Sequence, residues 1–532
     1  MTRYFSKASA VTFLALGLLL LGAGLRLYDL TDQPMDFHPT RQLRSALVAR
    51  NLYYQMIPEA DAETRELAYM LSRSTGQYEP PVLETLVAWT YRLAGQEILW
   101  VSRLYTIAFW MIGGLALFDL AKRMASGRAA LISLGYYLLL PFAVQASRSF
   151  QPDPGMVMWV ILAANMLYRW SGGGGHSSSE NSSESRQSTP VSNKRWRWAI
   201  LAGIFGGMAI LTKVVAVYLV GVTALFLVIY TLSWRRFWRD PQVWVMAVLM
   251  VTPTALFYLL GRQGRAAEYV QTWTISLSHL LLDPSLYARW FNLLVELMGL
   301  AILVLGVIGV ALAAPRGRAL LAGLWIGYVL YGLTLPYQMY THTYYHLQLV
   351  PILALSLAPA AEALFEKFND QRGDGGGRGQ RSSERSSEWA WKTLALLGLA
   401  TAVAYLSMTS IVAFRQENFR EDPAHWEKIG SLLPSDGRIL GLTQEYGFPL
   451  AYYGWRKVTI WPILGERQLA AMRGEPKAFE DYFQKKSKDM GYFLVTAFNQ
   501  FNQQPDLKEY LYQNYPVFAE GDGYLIFDLE GP

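Results

Sequence analysis

Residues 25–50 read LRLYDLTDQPMDFHPTRQLRSALVAR, and this stretch decides the architecture. It closes an apolar run that begins at Ala10, and a membrane helix needs about 20 mostly apolar residues. The run ends on Leu25-Arg26-Leu27 and passes into a turn carrying Asp29, Asp32 and Asp36. Pro39 then suits the first turn of a new helix. Beyond it Leu43, Leu47 and Tyr54 share one stripe, with Arg41, Arg44 and Arg50 off it. The pattern predicts a membrane span, an acidic turn and an amphipathic helix lying at the interface. Membrane-surface anchoring accounts for that helix, but Asp36 and His38 precede it and anchoring does not need them.

Composition extends this reading to the whole chain. Of 532 residues, 52% are hydrophobic, 14% aromatic and only 17% charged, where a soluble protein carries about 25% charge. The apolar content excludes wholesale disorder. The absence of cysteine excludes a disulfide scaffold and a thiolate metal site. The net charge of +6 comes from short basic clusters between apolar runs, which is a topology signal and not a nucleic-acid one.

Eleven spans are expected, at about 10–27, 97–121, 129–147, 154–169, 197–213, 214–233, 242–260, 290–313, 319–336, 347–365 and 390–413. With the N-terminus in the cytoplasm, alternate loops carry Lys122, Arg123 and Arg128; Lys194, Arg195 and Arg197; Arg235, Arg236 and Arg239; Arg316 and Arg318; and a mixed run from Lys367 to Lys392. All fall on one side, as the positive-inside rule asks. The first span reads as an uncleaved anchor, since no small-x-small site follows it. An odd number of spans then places the C-terminus outside. The expected class is an α-helical polytopic membrane protein of the cell membrane, with a membrane domain over 1–413 and a small extracytoplasmic α/β domain over 414–532.

Two inner loops, 171–193 and 370–388, are rich in Gly and Ser and read as flexible linkers, with His176 solvated in the first. In the C-terminal domain, strand-like runs at Arg438–Thr443, Lys457–Trp461, Gly491–Thr496 and Tyr524–Leu529 alternate with helical patterns at about 465–485 and 505–514. It holds no Gly-rich phosphate loop and no triad spacing, and reads as accessory.

Ionisable residues gather on the expected outer face. The first loop continues QYEPPVLETLVAWTYRLAG (77–95), with Glu79, Pro80 and Pro81 ahead of a second amphipathic run. The third span exits into SRSFQPDPGM, with Arg148, Gln151 and Asp153. The fifth ends GMAILTKVVAVY, which puts Lys213 about 24 Å of helix from its inner end, where a snorkelling lysine is the plain explanation. Spans nine and ten are joined by LPYQMYTHTYYHLQLVP, with His342, Tyr344, Tyr345, His346 and Gln348. His342 and His346 are four apart, but the segment reads as loop without an accompanying Glu, and no metal is expected.

These pieces, in this order, resemble the GT-C membrane glycosyltransferases of the family 39 group, which includes protein O-mannosyltransferases and lipid A aminoarabinose transferases. The resemblance rests on Leu25-Arg26-Leu27, Pro80-Pro81, Gly95, Arg103, Pro141, Arg148, Asp153 and Leu211-Thr212-Lys213 over about residues 10–230, and more weakly on the His-Tyr-Tyr-His turn before Val350-Pro351. It does not extend to the C-terminal domain. One departure is chemical: the family's Asp-Glu in the first loop falls where His38-Pro39 stands, so the acid is displaced to Asp36 or replaced.

The resemblance implies a polyprenyl-phosphate-linked sugar as donor and inverting transfer to an acceptor hydroxyl (on protein, lipid or glycan) outside the membrane. Such chemistry needs a general base and cations for the departing phosphate. Asp36 is the first choice as base and His38 the substitute, with Asp153 orienting acceptor or base. Arg41, Arg148, Lys213, His342 and His346 are the candidates for the phosphate. No cofactor is implied, and Gly203-x-x-x-Gly207 reads as helix packing. The rival reading is a transporter or flippase of a lipid-linked saccharide, which repeated halves and mid-span charges would favour. A non-catalytic scaffold is the third, opposed by the cluster of His, Asp and Arg.

Overall fold

The computed structural model describes residues 7–76, 79–172, 193–232, 234–260, 265–370, 381–435, 438–474 and 478–531. The expected linker at 171–193 lies almost wholly outside these, as do residues 371–380 of the one at 370–388, whereas 381–388, expected as linker, is the start of a helix. In chain order the principal helices are α1 (Lys7–Leu27), α2 (Pro39–Gln55), α3 (Ala62–Ser74), α4 (Val82–Ala94), α5 (Val101–Met124), α6 (Gly127–Leu139), α7 (Pro141–Ala146), α8 (Asp153–Gly172), α9 (Asn193–Thr212) and α10 (Ala216–Thr231). They continue with α11 (Pro241–Leu260), α12 (Pro284–Met298), α13 (Leu300–Leu312), α14 (Pro315–Thr334), α15 (Leu349–Asp370) and α16 (Arg381–Gln416). Next come α17 (Asp422–Leu432), α18 (Phe448–Tyr453), α19 (Leu464–Met472), α20 (Phe479–Ser487) and α21 (Pro505–Asn514). The strands are β1 (Ile439–Leu442), β2 (Thr459–Ile460), β3 (Tyr492–Val495), β4 (Val517–Gly521) and β5 (Tyr524–Asp528).

Two compact units follow contact rather than chain order. The first comprises Met1–Asp29, Leu104–Arg148 and Pro152–Gln416; the second comprises Leu30–Arg103, Ser149–Gln151 and Glu417–Pro532. Residues beyond Glu417 therefore group with the loop after the first span.

Helix occupies every one of the eleven stretches expected in the first unit and α5. Among the described residues, five helices are long and apolar enough to cross a bilayer, or six if one bent pair counts as a span. That pair is the 290–313 stretch, expected as one helix. It is α12 and α13, meeting at 97° across Gly299, whose φ of +86° is open to glycine and strained for other residues. The 129–147 stretch is likewise broken into α6 and α7, because Pro141 has no N–H for the Tyr137 carbonyl and cannot continue the helix. Other side chains take over the released carbonyls. The Trp110 indole N–H donates to Tyr137 O at 3.3 Å, and Arg26 Nη1 donates to Leu138 O at 2.8 Å. Arg26, fully buried, also reaches Ser147 Oγ at 2.6 Å and Gly22 O at 2.9 Å. The Leu-Arg-Leu motif is thus a staple between α1 and the α6–α7 break.

Elsewhere α9 packs on α8 and α11, α10 on α14, and α15 on α13 and α6. A Cβ at Gly207 would collide with the Leu249 carbonyl, and one at Gly203 would lie 2.8 Å from Leu249 Cβ. The Gly-x-x-x-Gly spacing brings the backbones of α9 and α11 together, as small residues do between membrane helices.

In the second unit, α2 packs against α3, α4 and α18. Leu43, Ala46, Leu47 and Ala49 are buried, but so are Gln42 and Arg50. The expected interfacial helix is therefore corrected to a packed one. Arg50 lies 3.8 Å over the Tyr452 ring and 4.2 Å over Trp455, and pairs with Glu97 at 2.9 Å. Counter-charge and aromatic faces replace the water an interfacial arginine would keep. The five-stranded sheet has the order β2-β1-β3-β5-β4, with β1 parallel to β2 and β3, and β5 antiparallel to β3 and β4. Register sets Leu440 beside Phe493 and Phe493 beside Phe527, and these join Trp461, Phe483 and Leu507 in one core. Strand β4 was not expected: it is an exposed edge, so its apolar signal is weak.

Candidate functional site

In the first unit the chain brings Asp153 and Lys213 together. Asp153 opens α8, where the helix N-terminus favours a carboxylate. Lys213 follows the last residue of α9, at the turn into α10. Its Nζ lies 2.8 Å from Asp153 Oδ1, and the two side chains are 5% and 2% exposed. Over the same ammonium sit the rings of Tyr345, 4.8 Å away, and Tyr344, 5.3 Å away. Tyr345 stacks on Tyr331 and its hydroxyl is 3.3 Å from that of Tyr269. Lys213 is therefore not a snorkelling anchor; it is a buried cation held by one carboxylate and two aromatic faces. His342 belongs to the same turn, edge-on to both tyrosines, with Nδ1 2.7 Å from Thr341 Oγ1.

Two expected phosphate ligands of this unit have other occupations. The guanidinium of Arg148, 1% exposed, donates to the carbonyls of Tyr28 and Asp29 at 2.7 and 2.8 Å and lies 4.3 Å from the Phe414 ring centre. It fixes the exit of α1. His346 is wholly buried: Nε2 is 3.0 Å from Met339 O, to which it must donate, and Nδ1 accepts from the Tyr328 hydroxyl at 2.6 Å. Both ring nitrogens are engaged within the protein. Among the described residues no group of three or more His, Asp or Glu side chains is arranged to hold a metal.

In the second unit the acidic turn is organised around Asp36. Its Oδ1 is 3.0 Å from Arg103 Nη2 and 3.1 Å from Gln42 Nε2. Arg103, 1% exposed, also donates to the carbonyls of Leu30, Asp32 and Gln33, so the guanidinium wraps the turn and balances its carboxylate. Gln42, fully buried, donates to Phe37 O at 2.9 Å and accepts from Phe150 N–H at 2.9 Å. Gln151 reaches Phe37 O at 3.4 Å. His38 is the N-cap of α2 with φ +49° and makes no side-chain cap bond; its ring stands edge-on to Phe37. A left-handed backbone on a residue other than glycine costs energy and is characteristic of functional turns. Arg41 is 3.6 Å from Glu79, partly exposed.

Sequence reading named Arg103 only as part of a motif and passed over Gln42. Arg103 opens a span, the position of many topological arginines, and Gln42 sits on a helix expected to lie at the membrane interface. For Gln42 the usable signal was a long amide six residues after an acid, on a helix started by proline.

Over nearly its whole length the backbone follows ArnT from Cupriavidus metallidurans in the apo state, at 15% identity and a TM-score of 0.50, covering 99% of this chain and 100% of that one. The fold is GT-C. Two further GT-C structures agree. The oligosaccharyltransferase of Archaeoglobus fulgidus in the apo form matches at 13% identity and a TM-score of 0.52, covering 93% of this chain and 70% of that one. The archaeal oligosaccharyltransferase AglB from the same organism, in complex with an inhibitory peptide and a dolichol-phosphate, matches at 12% identity and a TM-score of 0.50, covering 97% and 75%. Residues 59–293 match the family model described as dolichyl-phosphate-mannose-protein mannosyltransferase. No curated protein matches the chain. The resemblance read from the motifs is met by the GT-C fold and by the match of residues 59–293 to this family model, and the protein is a multi-pass membrane protein.

Proposed function

We propose that this protein transfers a sugar from a polyprenyl-phosphate carrier to an acceptor hydroxyl on the extracytoplasmic side, with inversion. The observation that carries the reading is Lys213: a cation buried in the membrane unit of a GT-C fold, held by Asp153 and two tyrosine faces. Desolvating a charge is costly, and an intramembrane ion pair is by default a functional hypothesis. The match of residues 59–293 to the dolichyl-phosphate-mannose family model and the dolichol-phosphate in the AglB complex of like fold support a lipid phosphate as its partner.

In this reading Asp36, or His38 in its place, accepts the proton of the acceptor hydroxyl as that oxygen attacks the anomeric carbon. The bond from that carbon to the phosphate oxygen breaks, and the electron pair leaves with the polyprenyl phosphate. Lys213 stabilises the charge gained there. Arg103 and Gln42 hold Asp36; Asp153 holds Lys213; His342 and Arg41 serve as secondary contacts, and Arg148 serves the framework. The membrane domain over 1–413 supplies the donor cation, and 414–532 stands outside the membrane.

The bend at Gly299 is the one observation that favours a transporter, since broken helices recur in transport folds. One experiment separates the two. The full chain in nanodiscs is examined by mass spectrometry for a retained lipid-linked sugar, then supplied with radiolabelled dolichyl-phosphate mannose or undecaprenyl-phosphate aminoarabinose beside native membranes as acceptor. Transfer of label to a new product supports the enzyme. The same chain reconstituted in sealed vesicles reads transport: label that crosses still joined to its lipid, with no bond cleaved, refutes the enzyme.

A further inference from the structure

The N-terminus of α2 presents an accounting problem. Pro39 has no N–H, and Arg41 and Gln42 donate to His38 O at 2.9 and 3.3 Å. The Thr40 N–H is left for a cap, and His38, the N-cap residue, makes no side-chain cap bond. The partner comes from 405 residues away: Glu445 Oε2 accepts from Thr40 N at 3.1 Å and from Thr40 Oγ1 at 2.6 Å. The anion also lies at the positive end of the helix dipole.

Glu445 reaches this place by an unusual backbone. It stands in the turn Gln444–Gly447 just after β1, where three successive residues are left-handed: Glu445 at φ +47°, Tyr446 at φ +56° and Gly447 at φ +73°. Only the third is a glycine, so two side chains bear a conformation that L-residues avoid. Such strain persists only where the surroundings over-determine it. Here Gln444 N–H donates to Thr496 Oγ1 at 3.0 Å and its amide donates to Thr496 O at 3.2 Å.

We propose that Glu445 is a positioning residue for transfer: by capping α2 it sets the helix register that places Gln42, and through Gln42 the Asp36 carboxylate. The inference rests on the reading of Asp36 as base. It gives the C-terminal domain a part in the reaction that its own chemistry, without triad or phosphate loop, does not suggest. The path is short. Gln42 lies two residues beyond Thr40, and its amide bonds Asp36 Oδ1, Phe37 O and Phe150 N–H together.

The test uses the full chain in nanodiscs with radiolabelled dolichyl-phosphate mannose, or whichever lipid-linked sugar the purified protein retains. Glu445→Ala is expected to lower turnover about ten- to hundred-fold, as small misplacements of catalytic groups do, with the KM for donor unchanged. Glu445→Gln keeps an acceptor oxygen for Thr40 and is expected to restore most of the loss. In an Asp36→Asn background Glu445→Ala should cost nothing further, because there is no base left to misplace. Amide hydrogen exchange over residues 39–45 is read in the same samples. Unchanged exchange there in Glu445→Ala overturns the cap whatever the activity does. Faster exchange with normal turnover, while Asp36→Asn is inactive, overturns the positioning role. Normal turnover in Asp36→Asn overturns instead the assignment of the base, and leaves the cap to be judged by exchange alone.

Discussion

Lys213 and Asp153 offer the most exacting test, because a buried pair responds differently to one loss than to two. Their side chains are 5% and 2% exposed and 2.8 Å apart. Removing one partner leaves an uncompensated buried charge, which typically costs about 3–5 kcal/mol. The structure moderates each single loss. In Lys213→Met, Asp153 keeps the N-terminus of α8, worth up to about 2 kcal/mol for a partly buried anion. In Asp153→Asn, Lys213 keeps two tyrosine faces, worth about 0.5–2 kcal/mol. Each single variant should therefore lose about 2–4 kcal/mol, and the double variant Lys213→Met/Asp153→Asn should regain most of it. Function should not follow stability. With no cation for the departing phosphate, turnover of the double variant should stay about 10²–10³-fold below wild type. Thermal unfolding in detergent reads the first quantity and label transfer in nanodiscs the second. A stable double variant that turns over normally would show the pair to be a structural lock and would remove Lys213 from the mechanism.

Asp36→Asn should fold, because Arg103 keeps its three backbone carbonyls, and should lose about 10²–10⁴-fold in rate with donor binding retained. If it turns over normally while His38→Ala is dead, the base is His38. Burial raises the Glu84 carboxyl above its ordinary value of 4.5, with Ser45 Oγ donating to it at 2.7 Å. An acid whose pKa is raised by folding loses stability as pH rises from 4.5 toward its folded value. Glu84→Gln should thus unfold at a higher temperature than wild type at pH 7, and the difference should vanish below about pH 4.5. A reporter that fluoresces only in the cytoplasm, fused after Pro532, should stay dark; bright cells would reverse the topology read from the basic loops.

What was legible in the sequence, and what was not, divides by the range of the interactions. Apolar runs and basic loops are local signals, and each expected span holds helix. Strands β1, β2, β3 and β5 were legible for the same reason, as short apolar runs between turn residues. The breaks at Pro141 and Gly299 depend on which carbonyls find new partners, and Trp110 and Arg26 are 31 and 115 residues from Pro141. Site residues followed the same rule. Asp153 and Lys213 could be nominated from their places at helix ends, but their pairing spans 60 residues and had no local trace. The cap on α2 was the least legible of all, since His38 gives no hint that its task has passed to Glu445.

Burial alone does not separate framework cations from functional ones; the nature of their partners does. Arg26 and Arg148 are each about 1% exposed or less, and each donates to two or more backbone carbonyls. Carbonyls cannot leave, and a guanidinium whose donors are committed to them fixes chain geometry. Lys213 instead meets a side-chain carboxylate, that of Asp153, and the ring faces of Tyr344 and Tyr345. In the proposed reaction a phosphate oxygen would take the place of the Asp153 carboxylate beside that ammonium. That difference, and not depth in the membrane, is why the proposal gives the donor phosphate to Lys213 and not to Arg148, although both are basic residues at helix ends.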